Sequence, residues 1–405
     1  MTAAVLARRP VTPIYWLALG TFAIGTEGFM IAPLLPRLAS DLSVSVAAAG
    51  QLVTVFALVY AVSSPLLTTV TGRMDRRRLL ILSIAAFAIA NLLAFSARDY
   101  WSLMAARVLL ALAAGLYAPS ANALAGALLE PQRRGTALAI VNGGTTIAVA
   151  LGVPLGSMIG DRFGWRTMFA CVAVLALVAV VGLVAGLSRD VGRNVGVATL
   201  GERIAVVRRP AVLARLSVTL IWATGVYAVY TYVAPFLATV TGIHGAGLSV
   251  VLFAWGVSAA GGLFVGGTLT DRLGAKRVIG VSLAMLALAF FGLSLSAMAL
   301  PPMAALAPVL VAIVVWGVSA WAFFPAQQTA LIGIAGIAVA PVVLSLNASF
   351  MFAGFSLGAA LGSLTVSHGA IVALGAVGGI CVLVARVLAT ACDSGGGETR
   401  RADRR

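Results

Sequence analysis

The sequence predicts an all-α membrane protein in which twelve transmembrane helices form two pseudo-symmetric six-helix bundles. Of the 405 residues, 61% are hydrophobic and only 10% are charged, whereas a soluble domain averages about 25% charged residues. The hydrophobic residues form continuous runs of about 20 residues or more, the length that a helix needs to cross a bilayer. A membrane β-barrel does not fit, because its strands would appear as short alternating segments.

The breaks between the hydrophobic runs define the predicted domain organisation. The longest polar segment, residues 188–210, lies between the sixth and seventh runs and carries Gly, Asn, Asp and Arg. We therefore predict an N-terminal six-helix bundle at 1–187, a cytoplasmic linker at 188–212, a C-terminal six-helix bundle at 213–391 and a cytoplasmic tail at 392–405. The predicted spans are 14–35, 46–70, 79–97, 102–128, 136–160, 167–187, 213–239, 247–269, 278–298, 303–330, 341–365 and 369–390.

The positive charges predict how the chain is oriented. The net charge is +15, and 22 of the 27 Lys and Arg residues lie on the side of the two termini, against four on the other side. Cytoplasmic loops of membrane proteins are enriched in these residues. Both termini and the linker are therefore predicted to be cytoplasmic, in a multi-pass protein of the inner (plasma) membrane. Because the charge is explained by topology, we expect contacts with membrane lipids and no nucleic-acid partner.

The two halves of the chain repeat each other. Ala32-Pro33-Leu34-Leu35 ends the first span, and Ala234-Pro235-Phe236-Leu237 ends the seventh. Asp75 and Asp271 each follow the next span and lie 196 residues apart. Two like-oriented six-helix halves, with a substrate site between them near the middle of the membrane, are a recurring plan of secondary transporters. The repeat therefore predicts a transporter of small molecules.

No cofactor, metal site or enzyme activity is expected. Cys171, Cys381 and Cys392 are scattered, and the two histidines lie at predicted loop edges, so no metal-ligand spacing is present. There is no Walker-type phosphate-binding loop, so transport would draw its energy from a gradient. No catalytic constellation or soluble catalytic domain supports an enzyme or a receptor, and a monomer is expected.

Glu27 is the main candidate for a functional residue. It is the one acidic residue that falls inside a hydrophobic run, where a carboxylate costs roughly 2.5 kcal/mol or more and so is expected to face protein or a wet cavity. A desolvated carboxyl group suits a proton carrier, and Glu27 is also a candidate substrate contact. The alternatives are a static ion pair with Arg107 and a contact to a cationic substrate without protonation. Arg107, inside the fourth span, must itself be paired and is expected to tune Glu27 or to tie helices together.

Polar and aromatic side chains inside the other spans are candidates for substrate binding. Broad-specificity cavities are mostly apolar and aromatic with a few polar groups. For each candidate the alternative is hydrogen bonding between helices or, for the aromatic residues, a position at the membrane interface. The candidates are Tyr117, Asn122, Asn142, Tyr227, Tyr230, Gln327 and Asn347.

One loop gives the chain a resemblance to the major facilitator superfamily. From Gly267 to Lys276 the sequence matches the family pattern G-x-x-x-D-R-x-G-x-K/R, whereas the first-half copy keeps Asp75 and Arg76 but lacks the second glycine. The resemblance covers nearly the whole chain and implies the fold of two six-helix bundles. It also implies a conformational gating role for residues in both copies of the loop: Asp75, Arg76, Gly267, Asp271, Arg272 and Gly274.

Two further motifs resemble the twelve-helix drug:proton antiporter branch of that family. The glycines and proline of the fifth span, Gly152, Pro154, Gly156 and Gly160, are similar to its antiporter motif, although small residues also serve ordinary helix packing. The stretch 25–36, with Glu27, resembles the arabinose-efflux and chloramphenicol-efflux-like permeases. In many of these the acid directly precedes Phe, whereas here Gly28 intervenes, which turns the side chain by about 100°.

These observations together predict a secondary active transporter that works by alternating access. The resemblance implies that it exports small, largely apolar or amphipathic molecules, chloramphenicol-like drugs among them, in exchange for protons. A sugar, nucleoside or other metabolite exporter of the same branch and a non-coupled uniporter are the alternatives.

Overall fold

A computed structural model describes residues 12–128, 134–188 and 199–402 of the chain. These residues form helices joined by short turns, and twelve of the helical segments are long and apolar enough to cross a membrane. The predicted all-α fold and the number of spans are confirmed. The first half of the fold consists of α1 (Thr12–Asp41), α2 (Val46–Val70), α3 (Arg76–Ser96), α4 (Tyr100–Leu128), α5 (Arg134–Ile147), α6 (Val153–Phe163) and α7 (Trp165–Gly186).

The remaining helices form a short linker helix and the second half. Residues 189–198 of the predicted linker and 403–405 of the predicted tail lie outside the described residues. The linker helix is α8 (Leu200–Val207). The second half consists of α9 (Pro210–Tyr230), α10 (Val233–Thr241), α11 (Ala246–Leu273), α12 (Ala275–Ala299), α13 (Pro302–Ala335), α14 (Ala340–Ser367) and α15 (Leu374–Ala402).

The two ends of the helix bundle are named by the linker. The linker face is the end at which α1 begins, α2 ends and α8 lies; the far face is the opposite end. At the linker face Arg203 of α8 is buried and bonds Ser345 of α14 at 2.8 Å and Thr68 of α2 at 3.4 Å. Burial lowers the pKa of the Arg203 guanidinium, which still stays charged at neutral pH. The linker helix is thus attached to both halves.

The halves meet closely at the far face. Gln51 of α2 donates to Ser363 of α14 at 3.0 Å, and Ser363 donates to the carbonyl oxygen of Ala47 at 3.0 Å. Six consecutive residues of α1, Met30 to Leu35, are all buried, which requires packing on every side of the helix. α10 of the second half supplies one of those sides. The far face is therefore closed.

Proline shapes the two corresponding spans of the halves differently. The predicted end of the first span at residue 35 is wrong, because α1 continues through Pro33 and Pro36 to Asp41. The prediction of a continuous seventh span at 213–239 is also wrong. That span breaks at Thr231 and Tyr232, between α9 and α10. In a continuous helix the Thr231 carbonyl would accept from the N–H of residue 235, but residue 235 is proline and has no N–H.

A five-residue π-helical turn, Ala148–Gly152, interrupts the fifth span between α5 and α6. Such turns insert an extra residue and are frequent at functional sites. Gly256 of α11 packs against this turn from the second half: a Cβ atom added there would lie 2.6 Å from the Cα of Ala150. The backbones of the two halves therefore touch at this point without an intervening side chain.

Gly256→Leu should destabilise the protein, because no side chain fits between α11 and the π-helical turn. Inserting a large group into a packed interface costs about 1–3 kcal/mol, which we expect to see as a lower Tm of the detergent-solubilised protein. Gly261→Leu on the same helix is the matched control, since a Cβ there meets nothing within 4 Å. Equal Tm values for the two variants would contradict the close contact.

Candidate functional site

The centre of the first half contains a buried ion pair. Glu27 of α1 and Arg107 of α4 are both fully buried, and Nη1 of Arg107 donates to Oε1 of Glu27. α1 remains helical through Gly25 and Gly28, so the carboxyl group reaches Arg107 from a regular helix. Two opposite charges in an apolar interior stabilise each other only when they are in direct contact. The two candidates that the sequence places in hydrophobic spans are therefore brought together.

Arg107 is also held by α2. Its Nε donates to the carbonyl oxygen of Leu52 at 3.2 Å, and its guanidinium carbon lies 4.1 Å from the centre of the Phe56 ring. A guanidinium above an aromatic face is attracted by the electrons of the ring. Arg107 would therefore keep two of its contacts if the charge of Glu27 changed.

Two polar atoms of the pair lack a hydrogen-bond partner among the described residues. They are Oε2 of Glu27 and Nη2 of Arg107, and both are buried. Leaving such groups unpaired costs about 1–3 kcal/mol each, more when they are charged. The pair therefore offers an acceptor on Glu27 and a donor on Arg107 to a small polar group that reaches it.

Aromatic rings from both halves pack together next to this pair. Tyr227 of α9 stacks on Phe355 of α14 with 3.6 Å between ring centres, and Phe29 of α1 meets Tyr227 edge-on at 6.2 Å. Tyr60 of α2 stacks on Phe352 of α14 at 3.7 Å, directly across the two halves. We call the set the interface aromatic cluster, and its members are Phe29, Phe56, Tyr60, Tyr227, Tyr230, Phe352 and Phe355.

The cluster and the ion pair are close to one another. The Tyr227 hydroxyl lies near enough to Arg107 for the two groups to interact electrostatically, and Phe56 contacts both Arg107 and Tyr60. Tyr227 and Tyr230 are buried at the junction of the halves. Sequence analysis singled out these two tyrosines but missed Phe56, Tyr60, Phe352 and Phe355, which give no signal beyond being aromatic residues in a span.

The other predicted substrate contacts lie apart from Glu27. The Tyr117 hydroxyl donates to the carbonyl oxygen of Leu17 at 3.1 Å inside the first half. Asn122 and Asn142 donate to carbonyls of their own helices, at 3.1 and 2.9 Å. In this conformation Tyr117 serves helix packing and the two asparagines are tied to their own backbones; their predicted role in binding stays a prediction.

Gln327 and Asn347 belong to a separate buried network in the second half. Gln327 donates to Thr219 at 2.9 Å and to the carbonyl oxygen of Arg215 at 2.7 Å, and Thr219 donates to Asn347 at 2.7 Å. Thr219 lies eight residues before Tyr227, about 12 Å along the helix. Arg215, which the sequence analysis counted among the cytoplasmic charges, is buried here and pairs with Asp393 at 3.6 Å. Arg215 lies four residues before Thr219, on the same face of α9, and this spacing was the available signal that Arg215 faces the same buried network.

The fifth-span motif packs against the part of α1 that carries Glu27. A Cβ atom added to Gly152 would collide with Thr26, and one added to Gly160 with Leu34. Between them a Cβ on Gly156 would lie 3.6 Å from the Cβ of Met30. The three glycines are thus spaced every four residues and lie against Thr26, Met30 and Leu34, which are spaced every four residues on α1. Pro154 begins α6 directly after the π-helical turn.

The two copies of the gating motif make their turns in different ways. In the second half, Gly274 joins α11 to α12 with a φ of +82°, a conformation that favours glycine. Asp271, Arg272 and Gly267 lie just before it in the last turns of α11. In the first half a short 3₁₀ turn takes the place of the glycine. Asp75 then caps α3 by accepting from the Arg78 N–H at 2.9 Å, and buried Arg76 donates to the Gly72 carbonyl oxygen at 3.0 Å.

The sequence matches the Major Facilitator Superfamily over residues 17–359. It is 33% identical over 374 residues to the uncharacterized MFS-type transporter YbcL of Bacillus subtilis (strain 168), covering 92% of this chain and 93% of the relative. It is 30% identical to the inner membrane transport protein YdhP of Escherichia coli (strain K12), covering 90% and 89%. Identity to a chloramphenicol resistance protein of Streptomyces lividans is 34% over 268 residues, 65% of this chain and 68% of that protein.

Solved structures of transporters share the fold. The chain superposes with a TM-score of 0.75 on a bacterial homologue of the human lysosomal transporter Spinster in an inward-facing and occupied conformation, at 16% identity and 94% and 96% coverage. The TM-score is also 0.75 for a variant of the peptide transporter POT in complex with alafosfalin, at 13% identity and 94% coverage of both chains. The chain belongs to the Major Facilitator Superfamily. It is a multi-pass membrane transporter and not an enzyme.

Arg107→Ala would leave Glu27 as a buried charge without its partner. We expect the free energy of unfolding to fall by about 3–5 kcal/mol. Glu27→Leu combined with Arg107→Met replaces both charges with apolar side chains and should recover most of that loss. Thermal unfolding of the purified proteins in detergent measures both effects. An unchanged Tm for Arg107→Ala would argue against the ion pair.

Proposed function

We propose that this transporter exports small, largely apolar or amphipathic molecules, of which chloramphenicol-like drugs are the model substrate, in exchange for protons. The observation that carries the proposal is the fully buried pair of Glu27 and Arg107 in the centre of the first half, close enough to Tyr227 of the second half for Arg107 and Tyr227 to interact electrostatically. A carboxylate held by one guanidinium nitrogen, with its second oxygen unpartnered among the described residues, can take up a proton without dismantling the site.

Protonation of Glu27 is the coupling step. Neutral Glu27 no longer attracts Arg107 as an ion, while Arg107 keeps the Leu52 carbonyl and the Phe56 ring. The interaction free energy between Glu27 and Arg107 therefore differs between the two protonation states. Protonation thus changes how strongly α1 and α4 are held together, and with it the balance between the inward-open and outward-open states. A proton bound from one side of the membrane and released on the other then drives the substrate in the opposite direction. The gating motifs at Asp75 and Asp271 are assigned to the same movement.

The charge of the site and the side chains around it suit a neutral substrate. Glu27 and Arg107 cancel each other's charge, and their unpartnered atoms supply one acceptor and one donor. The interface aromatic cluster adds large apolar surfaces from both halves. A molecule with an aromatic ring next to hydroxyl or amide groups matches these features. The chloramphenicol resistance protein of Streptomyces lividans, 34% identical over its matching part, supports the same class.

The orientation of the chain follows from its charge. Arg73, Arg77, Arg78, Arg208 and Arg209 lie at the linker face. We assign this face to the cytoplasm of a plasma-membrane protein, with Arg73 and Arg78 available to lipid headgroups. The face that is closed in the present conformation is then the outer one, and the transporter is assigned as a monomer. We retain the domain boundaries 1–187, 188–212, 213–391 and 392–405 for this arrangement.

Glu27→Gln should abolish efflux driven by a pH gradient, because an amide cannot carry the proton. Binding of a neutral substrate should survive. Uptake into inside-out vesicles with and without an imposed pH gradient measures the first property, and equilibrium binding to the purified protein measures the second. Glu202→Gln is the matched control, since Glu202 caps α8 at the surface and a glutamine caps equally well. Undiminished pH-dependent transport by Glu27→Gln would refute the proton role, and wild-type transport indifferent to pH would indicate a uniporter.

Tyr227→Ala should reduce resistance to chloramphenicol-like compounds more than Tyr227→Phe does. Alanine removes the stacked ring between Phe29 and Phe355, whereas phenylalanine removes only the hydroxyl near Arg107. Minimal inhibitory concentrations in a susceptible host, measured at equal membrane expression, give the order wild type, phenylalanine, alanine. Sugar- or nucleoside-specific transport with no drug resistance would overturn the substrate class.

A further inference from the structure

Pro33 removes the regular helical donor of the Phe29 carbonyl group in α1. In an α-helix the carbonyl oxygen of a residue accepts from the N–H four positions later, but the residue four positions after Phe29 is Pro33. Proline has no N–H. α1 nevertheless continues as a helix through this position, so the Phe29 carbonyl needs a partner from elsewhere, because an unpaired backbone group is costly in an apolar interior.

The partner comes from the other half of the protein. The Tyr230 hydroxyl donates to the carbonyl oxygen of Phe29 at 2.9 Å, and the two rings meet edge-on with their centres 5.8 Å apart. Tyr230 is buried and is the last residue of α9, directly before the break at Thr231 and Tyr232. The side chain therefore projects from a helix end at the junction of the halves, on the side of the closed far face.

We propose that Tyr230 is a gating residue that closes the far face by capping the carbonyl group that Pro33 leaves free. Separation of the halves at the far face removes the hydroxyl from this carbonyl, and α1 has no donor of its own to replace it. The cap therefore favours the closed state over the open one. The proposal requires only that the halves separate at this face; it depends on neither proton coupling nor the identity of the substrate.

The two halves of the repeat differ at the proline that frees the Phe29 carbonyl. Pro33 and Pro235 correspond in the two copies, so Thr231 corresponds to Phe29. In the second half the chain breaks where the carbonyl would have lost its donor. In the first half the helix is kept and the missing hydrogen bond is supplied across the interface. Pro33 thus leaves the Phe29 carbonyl as a free acceptor, and Tyr230, at the end of α9, supplies the donor.

The first test measures the population of the open state with Tyr230→Phe, which removes only the hydroxyl. Spin labels at Ser40 and His244, both exposed at the far face, in a background with the three cysteines replaced by alanine, report the distance between the halves by pulsed electron paramagnetic resonance. We expect the ratio of open to closed protein to rise about two- to tenfold, the range that one hydrogen bond supports. Tyr100→Phe is the control, since Tyr100 donates to the Ala48 carbonyl oxygen at the same 2.9 Å within the first half.

The second test asks whether the effect depends on Pro33. Pro33→Ala restores an N–H for the Phe29 carbonyl, so adding Tyr230→Phe in that background should change the ratio little. Pro36→Ala also restores an N–H to α1, but to the Ala32 carbonyl, and there Tyr230→Phe should keep its full effect. An unchanged ratio in Tyr230→Phe alone, or an equal rise with and without Pro33, would overturn the proposal. Because the readout is a distance without substrate, failure here leaves the proposed transport function untouched.

Discussion

An ion pair that lipid would not tolerate determines how the first half of this transporter is built. Glu27 and Arg107 come from α1 and α4, and neither charge is exposed. Two buried charges are tolerated only when they are in direct contact, and further contacts to the charged groups reduce the cost of burying them. α2 contributes the Leu52 carbonyl and the Phe56 ring, and the glycines of α6 let the helix approach the same part of α1. The pair thus fixes how α1, α2 and α4 meet, and α6 packs against the same stretch of α1.

The two copies of the six-helix repeat have diverged where they must meet. The first keeps a continuous helix through its proline, and the second breaks at the corresponding position. The two gating loops also differ. The second copy turns at Gly274 with a positive φ, whereas the first turns through a 3₁₀ segment and the Asp75 cap. The proline difference changes which backbone groups are available at the junction, which is how a symmetric plan can carry an asymmetric site.

Sequence reasoning predicted the features that depend on local composition. Twelve spans follow from hydrophobic runs, and the pairing of Glu27 with Arg107 follows from the cost of isolated charges in hydrocarbon. The stacking of Tyr60 on Phe352 was not predictable, because it joins residues about 290 positions apart in the chain through helix angles that no local pattern records. Hydrogen bonding between helices was the stated alternative for Gln327 and Asn347, but their shared partner Thr219 was not predictable for the same reason. The break after Tyr230 was not predicted, because the hydrophobic run continues past it and Pro235 has the same sequence setting as Pro33, which lies inside a continuous helix.

The contact of Gly256 with the π-helical turn has a mechanical consequence. Gly256 lies 10 residues from the far-face end of α11 and 17 from the linker-face end, or about 15 and 25 Å of helix. With backbone against backbone and no side chain to compress, this point can serve as a fulcrum. A small tilt about it would displace the linker-face end further than the far-face end, in the proportion of the two lever arms. The same rotation would then separate the halves more at the linker face than at the far face.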